Sequence, residues 1–135
     1  MEKTFELEAE SGRLPSFRIE LRELLQGAQC DEKAIGEVVL AVQEALTNIV
    51  RHAYGGKTGK IEVTFRDRGD RIEIGLQDFG KKFDPLKFPE PELPPKKPGG
   101  LGIYLMKTLM DEVTYSPECK EGNLLQLVKY KKKEK

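Results

Sequence analysis

The sequence predicts an α+β fold: a two-layer sandwich in which a mixed, mostly antiparallel sheet is covered by three helices. Three observations carry that expectation. Segments that alternate apolar and polar residues with a period of two mark half-buried strands, and others repeat their apolar residues at helical spacing. Arg68-Gly69-Asp70 is a short turn-like break between two strands, so those two form a hairpin. The elements follow in the order β-α-α-β-β-loop-α-β-β, with no internal repeat.

The opening strand, Thr4 to Glu10, sets Phe5, Leu7 and Ala9 on one face and Glu6, Glu8 and Glu10 on the other. A helix is expected from Leu14 to Ala28, starting near Ser11 or Gly12, with Ile19, Leu21, Leu24 and Leu25 as its apolar positions and Gly27 weakening its end. Asp31 is a good N-cap for a second helix from about Glu32 to Ala53, which Gly55 and Gly56 stop. The hairpin strands run from Lys60 to Arg68, with Ile61, Val63 and Phe65 on one face, and from Arg71 to Asp78, with Ile72, Ile74 and Leu76 likewise. From Phe79 to Gly100 the pattern gives way to Lys, Pro and Gly, with five prolines from Pro89 to Pro98. A stretch of that length inside a compact domain is either disordered or a functional lid. A third helix begins near Gly102 and carries Ile103, Leu105, Met106, Leu109 and Met110. Strands of about Glu112 to Ser116 and Asn123 to Lys131 close the chain.

The 135 residues make one domain, 1–135, long enough to bury a real core. Lys plus Arg and Asp plus Glu both number 23, so there is no basic field to suggest a nucleic-acid partner. The charge run from Lys129 to Lys135 reads as a solvated basic tail. No apolar stretch reaches membrane-spanning length and Met1 is followed by Glu2 and a polar strand, so neither a membrane nor export is expected; the expected compartment is the cytoplasm. Cys30 and Cys119 lack CxxC spacing and the single His cannot complete a zinc set with them, so both are ordinary thiols.

Chemistry concentrates in three places. In the second helix Ile35, Val38, Val39, Val42, Leu46, Ile49 and Ala53 gather on one side, which turns Glu44 and Asn48 the other way. Four residues apart, they place a carboxylate and a carboxamide on one face, either as a solvated face or as two groups acting on one small object. In the strand Arg71 to Asp78 the buried phase Ile72, Ile74, Leu76 continues to Asp78, aiming a carboxylate at the helix layer. Such a group is costly unless something donates to it: a ligand, or the amides of a local turn. Gly80 allows a flat ligand or another backbone to come close. Gly99-Gly100-Leu101-Gly102 opens a helix whose free amides and positive dipole end suit phosphate, although a flexible joint has the same composition. It matches neither a Walker loop nor a Rossmann fingerprint.

Glu44-xxx-Asn48 on a helix, Asp78-Phe79-Gly80 with Phe83-Asp84 after a strand, and Gly99-Gly100-Leu101-Gly102 at a helix start resemble, in order and context, the GHKL (Bergerat) ATP-binding fold of gyrase B, MutL and the histidine kinases. Within it the chain most resembles the anti-sigma factor serine/threonine kinases of the RsbW and SpoIIAB type. That likeness is carried by Glu44-Ala45, Thr47-Asn48, His52-Ala53-Tyr54, the run Gly99 to Met106 and the run Thr108 to Val113, and it covers nearly the whole chain. The resemblance implies ATP and Mg²⁺ as cofactors. Asn48 would ligate the Mg²⁺ that bridges the phosphates, and Glu44 would be the general base for the attacking hydroxyl. Asp78 would receive the adenine amino group, and Gly80 would leave room for the base with Phe83 beside it. Gly99, Gly100, Leu101 and Gly102 would line the phosphates, with residues 79–100 as lid. The implied partners are an anti-sigma factor antagonist as Ser/Thr substrate and a sigma factor, with a homodimer possible for the family. His52 reads as a helix-end residue rather than a phosphoacceptor, and Arg18 matches a partner-surface arginine of the subgroup or is a plain solvated arginine.

Two departures stand out. Lys81-Lys82 occupies the place where the family's first glycine box carries a further Gly or Pro, and the proline-rich lid is short and stiff. A nucleotide-gated binding module without phosphotransfer is the alternative to a kinase. Glu44 favours the kinase, since binding alone needs no base.

Overall fold

A computed structural model of the chain describes residues 1–8, 14–55, 57–82, 101–116 and 122–131. Strand β1 (Glu2–Glu8) leads into helices α1 (Leu14–Gly27) and α2 (Glu32–Asn48). A π-helical turn (Ile49–Ala53) extends α2, and the hairpin β2 (Lys60–Asp67) and β3 (Arg71–Asp78) follows. Helix α3 (Leu101–Leu109), β4 (Glu112–Ser116) and β5 (Asn123–Tyr130) complete the order. The five strands lie in the order β1-β2-β3-β5-β4. All four pairings are antiparallel, so the parallel component of the expected mixed sheet does not occur among the described residues.

Each element follows from local chemistry, with some differences from the sequence pattern. β1 begins at Glu2, two residues before the expected start, and places Phe5 edge-on to Phe17 of α1, with ring centroids 5.4 Å apart. In α1 the buried stripe is Phe17, Leu21 and Leu25, with Ala28 just beyond; Ile19, expected in the core, is 63% exposed. Asp31 caps α2 as its position suggests, its Oδ1 accepting from Ala34 N–H at 2.7 Å. Helical structure persists to Ala53, but its last turn widens: Tyr54 N–H bonds to the Ile49 carbonyl at 3.1 Å, five residues back. The hairpin turn closes through Arg68 N–H to the Arg71 carbonyl, with Gly69 at φ +91 where a left-handed residue is needed.

The core is one cluster between sheet and helices: Ile61, Val63 and Phe65 from β2, Ile72, Ile74 and Leu76 from β3, and Leu125 and Leu127 from β5 meet the apolar stripes of α1 and α2. The buried phase Ile72, Ile74, Leu76 of β3, with Gly75 buried beside it, continues to Asp78 at 1% exposure. Ala41 and Ala45, outside the predicted stripe of α2, are buried as well, and α3 packs against α2. Glu44 and Asn48 are therefore half-buried rather than on an open face. The basic run is only partly a solvated tail. Lys129 Nζ donates to the Leu109 carbonyl at the end of α3 and pairs with Glu37, and Lys131 pairs with Asp67 at 2.8 Å. Among the described residues no helix is long and apolar enough to cross a membrane.

Candidate functional site

Helix α2 presents Glu44 and Asn48 one turn apart, and the first turn of α3 is seated against them. A Cβ added at Gly102 would lie 2.4 Å from Glu44 Oε2 and 3.7 Å from Asn48 Nδ2, so a side chain there would push the Glu44 carboxylate aside. The Asn48 amide is held by its own helix, Nδ2 donating to the Glu44 carbonyl at 3.0 Å. That leaves Oδ1 as the acceptor end of the carboxamide.

Asp78 stands at the end of β3 with its Oδ1 accepting from Gly80 N–H at 3.0 Å and from Asn123 Nδ2 at 2.9 Å. Burial pushes its pKa above the ordinary carboxylate value, although hydrogen bonds from Asn123 and Gly80 and the charge of Lys82 act the other way. The protein supplies donors to this carboxylate through a local turn and from Asn123, and the residue also lines a cavity. Asn48, Asp78, Asn123, Ala45, Met106 and Leu125 are among the walls of that cavity, of about 20 Å³. Such a volume admits about one water molecule, so a purine enters only when the walls part.

Asn123 was not singled out from the sequence. It is 4% exposed, and its Nδ2 donates both to Asp78 and to the Lys81 carbonyl at 2.9 Å, while its Oδ1 accepts from Tyr115 OH at 2.7 Å. One side chain thereby ties the end of β3, the root of the 79–100 segment and β4. Gly122 beside it has φ +77, and a Cβ there would meet the Asp78 carbonyl oxygen at 1.9 Å. The signal was available: the alternation that buries Leu125 and Leu127 also buries Asn123, directly across from Asp78 in register.

Of the two neighbours expected at Gly80, a flat ligand or another backbone, the structure shows the backbone: a Cβ at Gly80 would lie 2.3 Å from the Ala53 carbonyl oxygen, which accepts from Lys81 N–H at 2.7 Å. Tyr54 completes the brace. Its OH donates to the Lys60 carbonyl at 2.5 Å and accepts from Phe79 N–H at 2.8 Å, and burial raises its pKa. His52 lies in the π-helical turn, where burial and the charge of Arg51 lower its pKa. Phe83, Asp84, Gly99 and Gly100 lie outside the described residues, as does the side chain of Leu101; of the third motif only Gly102 is placed in full. A larger depression of about 380 Å³ between β1 and α1, walled by Lys3, Phe5, Glu20, Glu23 and Leu24, is touched by none of these residues.

Comparison with known proteins places the chain in a family. The family model described as a histidine kinase-like ATPase domain matches residues 7–129. A serine-protein kinase RsbW of Bacillus licheniformis is 44% identical over 90 residues, covering 58% of this chain and 55% of that protein. A serine-protein kinase RsbW of Staphylococcus epidermidis is 38% identical over 119 residues, covering 80% of this chain and 72% of the relative. The chain thus spans little more than half the length of the first relative and about three-quarters of the second. A solved structure of the RsbU and RsbW domains of a Mycobacterium tuberculosis protein superposes with a TM-score of 0.71 at 20% identity, covering 97% of this chain and 32% of that one, a likeness of fold. The chain belongs to the histidine kinase-like ATPase domain family, among the relatives of the RsbW serine-protein kinases.

Proposed function

We propose that this chain is an ATP-dependent protein serine/threonine kinase acting as an anti-sigma regulatory factor in the cytoplasm, phosphorylating an anti-sigma factor antagonist and sequestering a sigma factor. One observation carries the reading: the Glu44 carboxylate, the Asn48 carboxamide and the glycine at the start of α3 meet at one point, beside a cavity walled by Asn48 and Asp78. The relatives named as serine-protein kinases support it.

The residues suit the groups that such a function requires. Among the described residues no three His, Cys, Asp or Glu side chains converge as a metal cage, whereas a single protein oxygen from Asn48 suits Mg²⁺, which takes its other oxygens from phosphates and water. Mg-ATP, when bound, supplies the transferable phosphoryl group and neutralises its charge. Asn48 Oδ1 offers the metal an oxygen while its amide end stays on the Glu44 carbonyl. Asp78, fixed by Gly80 and Asn123, would accept from the 6-amino group of adenine, in whose place guanine carries a carbonyl oxygen. Gly102 keeps the amide end of α3 near the phosphates. Glu44 would take the proton of the incoming Ser or Thr hydroxyl; the lid expected at residues 79–100 lies, beyond Lys82, outside the described residues. Arg18 donates to Gln43 Oε1 at 3.1 Å across α1 and α2, on the exterior where a partner would dock.

The test is mass spectrometry of candidate antagonist proteins incubated with this chain and Mg-ATP. A mass gain of one phosphate on a Ser or Thr of one antagonist supports the kinase. ATP-dependent complex formation without modification of any antagonist favours the nucleotide-gated binding module.

A further inference from the structure

Gly102 lies against a carboxylate, not only at a helix start. The point where its Cβ would sit is 2.4 Å from Glu44 Oε2 and 3.4 Å from Glu44 Cδ, with Asn48 Nδ2 next at 3.7 Å. Its backbone is not in the left-handed region, unlike Gly55, Gly69 and Gly122, so conformation alone does not demand glycine here. What a side chain there would meet is the Glu44 carboxylate, the far end of a flexible side chain. We propose that Gly102 is a positioning residue for Glu44: its bare Cα forms the seat that holds the carboxylate at the amide end of α3, where the proton of the acceptor hydroxyl is taken up. The inference rests on Glu44 being the general base.

The geometry states which group yields when the seat is filled. A methyl carbon and a carboxylate oxygen come into contact at about 3.5 Å, so an alanine would drive the oxygen back by about 1 Å. The displaced group is the far end of a flexible side chain, whereas α3 is fixed by Ile103, Met106 and Met110, all buried. Alanine is also the better helix former, so α3 keeps its place and the carboxylate moves. A displacement of about 1 Å at a reacting group costs on the order of 10²-fold in rate.

Gly102→Ala, Glu44→Asp, their combination and Glu44→Gln are compared in the full chain. Readouts are single-turnover transfer from Mg-ATP to the acceptor found by mass spectrometry, Mg-ADP affinity by calorimetry, thermal melting, and a crystal structure of Gly102→Ala. Gly102→Ala is expected to slow transfer on the order of 10²-fold, to leave Mg-ADP affinity within about threefold, and to melt no lower than the parent. Glu44→Asp withdraws the carboxylate by about 1.5 Å, one carbon–carbon bond, and so relieves the overlap. The double variant should be slowed at least tenfold less than the product of the two single effects, roughly 1.4 kcal/mol of coupling.

Four results overturn the inference: parental transfer by Gly102→Ala; a loss of Mg-ADP affinity equal to the loss of rate; multiplicative effects in the double variant; or a Gly102→Ala crystal structure in which the carboxylate keeps its place. The last needs no activity measurement. Parental transfer by Glu44→Gln overturns the base assignment and this inference with it. Slow transfer by Glu44→Gln beside fast transfer by Gly102→Ala overturns the positioning role alone.

Discussion

Replacing Asp78 by Asn is expected to weaken adenine-nucleotide binding while leaving the fold at least as stable at neutral pH. Asp78 is 1% exposed, and its burial raises its pKa more than the donors from Asn123 and Gly80 and the charge of Lys82 lower it. The folded chain therefore holds this proton more tightly than the unfolded one. Stability from the group is fully present below the ordinary Asp value of 3.8 and is lost as the pH rises through the folded-state value. Ionising the buried carboxylate thus burdens the fold, a cost that an amide does not carry. The oxygen of an amide still accepts from Gly80 N–H and Asn123 Nδ2. For a bound adenine the sign reverses, because a charge-assisted hydrogen bond is lost and an NH₂ confronts the amino group. The loss is on the order of 1.5–3 kcal/mol, about 10- to 150-fold in Kd. Calorimetry with ATP and GTP, and thermal melts from pH 4 to pH 8, measure both effects. ATP affinity equal to the parent's, GTP bound by the parent as tightly as ATP, or a lower melting temperature for Asp78→Asn at pH 7 would refute the reasoning.

Asn123→Ala removes a donor from Asp78 and from the Lys81 carbonyl and an acceptor from Tyr115 OH, and is expected to cost about 1–3 kcal/mol. An unchanged urea midpoint contradicts this. Gly80→Ala drives a Cβ onto the Ala53 carbonyl oxygen, a backbone atom that cannot step aside, and should destabilise by about 1–3 kcal/mol. Thermal melting at the parental temperature would show that the π-helical turn yields.

Much of this was legible because local patterns set it. The period-two run Ile72, Ile74, Leu76 placed Asp78 in the core, Asp31 announced the start of α2, and the spacing of Glu44 and Asn48 put them on one face. The rest depends on distant partners. Asn123 meets Asp78 and Lys81 from 45 and 42 residues away, so its role appears only when β5 is laid beside β3. Ala41 and Ala45 are buried in a helix that packs against α3, and an alanine in a helix does not announce a neighbour. The basic run read as a tail because charge alone hides Lys129 and Lys131, whose ammonium groups are fixed by Glu37, Leu109 and Asp67. The sequence left Gly80 open to a ligand or another backbone, and Gly102 to a phosphate site or a flexible joint. The structure gives one to a backbone carbonyl and the other to a carboxylate, a difference of packing that no local spacing contains.

Single-turnover phosphate transfer by Glu44→Gln tests the central claim most directly. The amide keeps the size of the side chain seated against Gly102 but cannot take a proton. Transfer to the acceptor should fall by about 10²–10⁴-fold while Mg-ATP affinity and acceptor binding stay at parental values, giving a stalled complex. Transfer at the parental rate would contradict the account and remove Glu44 from the mechanism.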